Sequence, residues 1–243
     1  MNTPGPTHTH AAPGPGPAGS APRTGPAERP AWRSRGAWAV LVVVFALGLW
    51  ADLWTKAWAF RVVPATPYVF TKEDVLEGRA LPPRGEIVVI ERVLEFKLVL
   101  NQGAVFGAGQ GRRWFFIGVT IFAITFAVWL FATWTRARDR AAHAALGLLL
   151  AGGVGNLYDR ITFACVRDFI HPLPGVRWPG SAREVWPYVS NVADAFLIVG
   201  IGVLLIHVWR HGSRTGHPPT SSPSPSPADP GGQPTAPGSS SPR

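Results

Sequence analysis

The run at about residues 114–134 constrains this chain most: it has no charged residue and is closed by tryptophan at both ends. A membrane-spanning helix needs roughly 20 mostly apolar residues, and tryptophan favours the membrane–water boundary. Three more runs approach the same pattern, at about 37–60, 141–158 and 192–209. The first of these follows Arg29, Arg33 and Arg35 and invites reading as a cleaved leader. It is long, lacks a small-residue cleavage site and carries Asp52 and Lys56 near its end, so it is read as a retained helix. The expected class is therefore an all-α membrane protein with four transmembrane helices and both termini on one side.

Composition agrees. The chain is 47% hydrophobic with 11 Trp and 13 Phe, and only 15% of it is charged. That is too apolar for an ordinary soluble domain of 243 residues. The net charge is +9, but the basic residues lie in tails and loops between apolar runs, as membrane flanks do. No nucleic-acid partner is expected. Cys165 is the one cysteine, which excludes a disulfide framework and a CxxC metal site. Residues 1–35 (rich in Pro, Gly and Ala) and 211–243 (rich in Ser and Pro) are expected to be disordered tails around a membrane domain at 36–210. Arginines flank both ends of the helices, so the positive-inside count is nearly a tie. Arg136, Arg138 and Arg140, crowded into one short loop, tip it toward cytoplasmic termini.

A long insertion, about 61–113, separates the first two helices. Within it Leu94, Phe96, Leu98 and Leu100 alternate with Glu95, Lys97 and Val99, and Ile87, Val88 and Val89 lie nearby. A period of two with β-branched neighbours predicts a small β element outside the membrane.

Ionisable and amide groups in or beside spans need a reason. Asp52 and Lys56, four apart, have the spacing of an ion pair snorkelling at a helix end. Asn156 and Asp159-Arg160 close the third run; the latter reads as an interfacial charge pair. Gly147, Ala151 and Gly155 form a small-residue row suited to helix packing. Asn191 and Asp194 open the fourth helix, where capping is the plain reading of each. His143 and Cys165 read as structural.

Asp168 and Asp194 resist the plain reading best. Two carboxyls held close cannot both ionise. The ionised one can draw a proton from water, and the protonated one can polarise a scissile carbonyl. This chemistry needs no metal or cofactor, and none is expected. Irregular backbone around Asp168, lining a polar cavity, is the expected route for water. Spacing alone does not bring the two aspartates together. A small proton-coupled carrier using the same carboxylates as a relay is the alternative, and a structural membrane subunit a third reading.

Five strings occur in order: Asp52-Leu-Trp-Thr-Lys56, Asn101-Gln-Gly-Ala-Val-Phe106, Gly152-Gly-Val-Gly-Asn-Leu-Tyr-Asp-Arg160, Val166-Arg-Asp-Phe169 and Asn191-Val-Ala-Asp194. Together they resemble the lipoprotein signal peptidases, or signal peptidase II. The resemblance implies four transmembrane helices with an extracytoplasmic β-cradle, cytoplasmic termini and residence in the bacterial cell membrane. It implies an aspartic endopeptidase that cleaves diacylglyceryl-modified prolipoproteins just before the lipidated cysteine; a monomer is expected. Asp168 and Asp194 take the catalytic positions. Asn156, Arg160 and Asn191 take polar positions lining the active site, and Asp52, Lys56, Asn101, Gly103, Ala104 and Phe106 match positions that support it or touch substrate. Val105 departs from the small residue usual there, and the stretches 61–97 and 171–190 are longer than usual. These departures bear on the outer surface more than on the chemistry.

Overall fold

The computed structural model describes residues 29–83, 85–103 and 112–212. Ala104, Phe106 and most of both tails lie outside the described residues. Among the described residues, four helices are long and apolar enough to cross a membrane. They are α1 (Arg35–Val62), α3 (Arg113–Thr133), α4 (Arg140–Phe163) and α5 (Val192–Gly212). A short α2 (Lys72–Leu76) and three strands lie between them: β1 (Glu86–Ile90), β2 (Leu94–Asn101) and β3 (Val166–Pro172).

Helix α4 is the axis of the bundle, packed against α1, α3 and α5. Its Gly- and Ala-rich sequence suits that place, because small residues let neighbouring backbones approach closely. The contacts fall in matched four-residue steps. Gly147 meets Val44, Ala151 meets Gly48, Gly155 meets Asp52 and Asp159 meets Lys56. Both series rise together, so α1 and α4 run parallel. A Cβ on Gly152 would stand 2.5 Å from the Ala193 carbonyl oxygen of α5, and one on Gly155 would overlap the Asp52 carboxylate. Only glycine fits at either point.

The strands form one antiparallel sheet in the order β1-β2-β3. Thus the all-α expectation is corrected to four spanning helices with a three-stranded sheet. The alternating segment became β2 and its β-branched neighbours became β1. β3 was not foreseen: four of its first four residues are buried, so the period-two signal vanishes. The backbone at Asp168 is a strand rather than the irregular segment expected, although the pairing with β2 shifts register beside it, between Phe96 and Val99. Ala164, with φ at 60°, makes the turn from α4 into β3. Ala59, Phe60 and Val63 at the end of α1 pack on Leu98 and Phe169, which docks the sheet on the bundle.

Candidate active site

Strand β3 and helix α5 present the two aspartates. Asp168 lies opposite Val99 of β2 and is 1% exposed. Asp194 occupies the first turn of α5. Both line one groove of about 670 Å³, together with Asn101, Trp186, Tyr188 and Leu197.

Three asparagines link the carboxylates. Asn191 Nδ2 donates to Asp168 Oδ1 at 2.6 Å and to Asn156 Oδ1 at 3.2 Å. Asn101 Nδ2 donates to the other oxygen of Asp168 at 3.0 Å. Asn156 Nδ2 donates to Asp194 Oδ1 at 3.0 Å. Asn191 also caps α5, its Oδ1 accepting from the Asp194 amide at 3.1 Å. The capping reading of Asn191 therefore holds, and the same side chain reaches Asp168. Burial, followed by the nearby Asp194 carboxylate, pushes the Asp168 carboxyl up to about 7. Proton sharing by two neighbouring acids fits that shift.

Behind the asparagines lies a second layer of charge. Lys56 is fully buried, with Nζ 2.8 Å from Asp52 Oδ2, 2.9 Å from Asn156 Oδ1 and 3.4 Å from Asp159 Oδ2. The snorkelling pair is thus corrected to an interior one: the chain of contacts to α4 holds Lys56 inward. Asp52 Oδ1 accepts from the Ala193 amide at 2.9 Å, tying α1 to the start of α5.

Asp159 pairs not with Arg160 but with Arg167, by Nη2 at 2.7 Å and Nε at 3.1 Å. Successive residues of a helix point in different directions, whereas the turn at Ala164 folds Arg167 back over Asp159. Arg160 instead donates to the Gly103 carbonyl at 3.2 Å and lies over the Phe116 ring. It thereby fastens the segment after β2, where Gly103 N donates to Asn101 Oδ1 at 2.9 Å. Of the residues named from sequence, Asp52, Lys56, Asn101, Gly103, Asn156, Arg160, Asp168, Asn191 and Asp194 meet in one connected region. His143 and Cys165 are buried away from the groove's lining, and burial pushes the Cys165 thiol up to about 12, leaving it neutral. Among the described residues, no three His, Cys, Asp or Glu are grouped to hold a metal ion.

Sequence reasoning missed one further pair. His171 Nδ1 lies 2.6 Å from Glu95 Oε1, and its Nε2 lies 3.3 Å from the Trp186 carbonyl oxygen. This pair joins β2 and β3 to the segment that walls the groove. Glu95 alternates with the apolar residues of β2, yet it is only 7% exposed. A register shift between Phe96 and Val99 breaks the simple alternation.

The family model described as Signal peptidase (SPase) II matches residues 44–210. A lipoprotein signal peptidase of Syntrophotalea carbinolica is 34% identical over 139 residues, which is 56% of this chain and 81% of that protein. A lipoprotein signal peptidase of Clostridioides difficile is 28% identical over 178 residues, 72% of this chain and 97% of that protein. A solved structure described as a bacterial membrane enzyme, determined by the in meso method at 2.3 Å resolution, has a similar fold. Its TM-score is 0.54 at 21% identity, covering 75% of this chain and 95% of that one.

Proposed function

Because this chain belongs to the signal peptidase II family, and is an aspartic endopeptidase of a bacterial membrane, we propose that it removes signal peptides from diacylglyceryl-modified prolipoproteins. Cleavage falls just before the lipidated cysteine. The observation that carries this reading is the placing of Asp168 and Asp194 in one groove, with Asn191 bonded to both.

In the proposed mechanism the two carboxyls share one proton. The ionised aspartate takes a proton from a water, which attacks the scissile carbonyl directly. The protonated aspartate donates to the carbonyl oxygen as it gains charge. The aspartate that took the water's proton then gives it to the leaving nitrogen as the C–N bond breaks, so no covalent enzyme intermediate forms. Asn101, Asn156 and Asn191 hold the carboxylates. Arg160 anchors the Gly103 segment, and Asp52 and Lys56 brace the asparagines from behind. Ala104 and Phe106 keep their proposed role in substrate contact.

The groove suits a lipidated peptide. Ala195, Leu197 and Ile198 continue it along the apolar face of α5, while Asn101, Asp168 and Asp194 supply its polar end. Acyl chains can stay in hydrocarbon while the peptide reaches the acids. We place both termini in the cytoplasm, the sheet on the outer face, and the enzyme as a monomer.

The test is cleavage by purified full-length protein in detergent, followed by mass shift of a diacylglyceryl-modified prolipoprotein. Asp168→Asn and Asp194→Asn are each expected to abolish it. Cleavage surviving in both would sink the dyad. A folded wild-type protein that cleaves no lipidated substrate would turn the reading toward a proton-coupled carrier. Cleavage is expected to persist with a chelator present.

A further inference from the structure

We propose that Lys56 is a positioning residue that sets the dyad's asymmetry: acting through the Asn156 amide, it keeps Asp194 as the ionised, water-activating carboxylate and leaves the shared proton on Asp168. This rests on the dyad reading above and deepens it by assigning the two roles.

The first ground is the direction of one amide. Asn156 Oδ1 accepts from Lys56 Nζ at 2.9 Å and from Asn191 Nδ2 at 3.2 Å. An ammonium has three donors and no acceptor. Turning the Asn156 amide over would aim its NH2 at the ammonium and lose both bonds. Lys56 therefore fixes which way the amide points. In that direction Nδ2 can only donate to Asp194 Oδ1, at 3.0 Å. A donor aimed at a carboxylate favours its charged form, and an amide whose oxygen already accepts from an ammonium is the stronger donor.

The second ground is that the two aspartates have unequal surroundings. Asp194 also accepts from the Asn191 backbone amide at 3.2 Å and sits in the first turn of α5, where free N–H groups and the helix dipole favour negative charge. Asp168 lies on a strand, where no helix terminus assists it. Its donors are two neutral side-chain amides, those of Asn101 and Asn191, and it is 1% exposed. Burial and the Asp194 charge raise its affinity for a proton, and together they outweigh the opposing effects of the two amides and of the Lys56 charge.

The third ground is the balance of charges facing Lys56. Asp52 on α1 and Asp159 on α4 are its acidic partners, and Arg167 on β3 neutralises Asp159 in turn. Two acids and two bases close this layer. The Asp168/Asp194 pair then faces Arg160 of α4 as its charge partner. Arg160 acts on both aspartates, and more on Asp168 than on Asp194, so its charge does not select Asp194 as the ionised member. The Asn156 amide held by Lys56 donates directly to Asp194, whereas it reaches Asp168 only through Asn191, so the direct bond carries the choice.

The experiment is the pH profile of kcat/KM for the full-length enzyme in detergent, with a diacylglyceryl-modified prolipoprotein as substrate. Wild type is compared with Lys56→Met combined with Asp52→Asn, which preserves the local charge balance. A second variant, Asn156→Ala, removes the donor to Asp194 together with the acceptor for Lys56. In both, the acid limb, which reports ionisation of the water-activating carboxylate, is expected to rise by about one pH unit. The bell then narrows from its acid side. Melting in detergent identifies the folded variants. An acid limb that stays in place in whichever variant folds overturns the proposal, because a merely structural role lowers activity at every pH alike. If the dyad itself is wrong, Asp168→Asn and Asp194→Asn keep cleaving, which is a different failure.

Discussion

Asn191 and Asp194 cap each other at the start of α5: Asn191 Oδ1 accepts from the Asp194 amide at 3.1 Å, and Asp194 Oδ2 accepts from the Asn191 amide at 3.2 Å. One carboxylate thus serves the fold and, in the proposed mechanism, the chemistry. The two duties separate by substitution. Asp194→Asn retains an oxygen for the cap, whereas Asp194→Ala does not. Both are expected to reduce cleavage by at least about 100-fold, the lower range for lost acid–base catalysis. Only the alanine variant is expected to lose stability through the cap, by about 1 kcal/mol. Cleavage assays paired with thermal unfolding in detergent check both halves.

Gly155 gives a purely steric prediction. A methyl group there overlaps the Asp52 carboxylate, which cannot retreat without releasing Lys56 and the Ala193 amide. Gly155→Ala is expected to destabilise by about 1–3 kcal/mol, as overpacking does, and to depress activity with it. Gly118 on α3 has nothing within 4 Å of its Cβ position, so Gly118→Ala is the matched control. Equal melting temperatures for the two variants would contradict the packing described.

The acidity of Asp168 makes stability depend on pH. Its folded value of about 7 lies above the ordinary 3.8. Between those values the folded protein holds a proton that the unfolded chain has lost, so this group's contribution to stability is present at low pH and falls away as pH rises toward 7. Wild type is expected to lose melting temperature between pH 5 and pH 8 relative to Asp168→Asn, which cannot titrate there. Parallel melting curves for the two proteins across that range would count against a proton on Asp168.

The Glu95–His171 contact fastens the outer wall of the groove through the Trp186 carbonyl. Glu95→Ala leaves a buried ring nitrogen without its partner, at a cost of about 1–3 kcal/mol. The expected results are faster proteolysis within residues 173–185 and a higher KM, with kcat changed less. Unaltered proteolysis would show that other contacts hold this wall.

Much of this arrangement was legible before any coordinates. The four spans follow from the length of their mostly apolar runs, and β2 follows from Leu94, Phe96, Leu98 and Leu100. The small residues of α4 pointed correctly to helix packing. What escaped notice depended on contacts distant in sequence or on sides buried on both faces. β3 gives no alternation because Val166, Arg167, Asp168 and Phe169 are all buried. Asp159 finds Arg167 across a left-handed turn rather than its neighbour Arg160. Helix α2 could have been found: Thr71 and Asp74 form a capping box that is readable as sequence. Lys56 was visible as a motif position, but its burial was not, because the Asn156 and Asp159 that hold it lie about a hundred residues further on.

Strand β3 carries Asp168 and the fourth span carries Asp194, and the two meet only when that span has threaded into place beside α4. During synthesis, a chain with three spans inserted has one of its acids but not the other. In the proposed mechanism, activity therefore switches on only with the completion of assembly, and a half-inserted chain cleaves nothing.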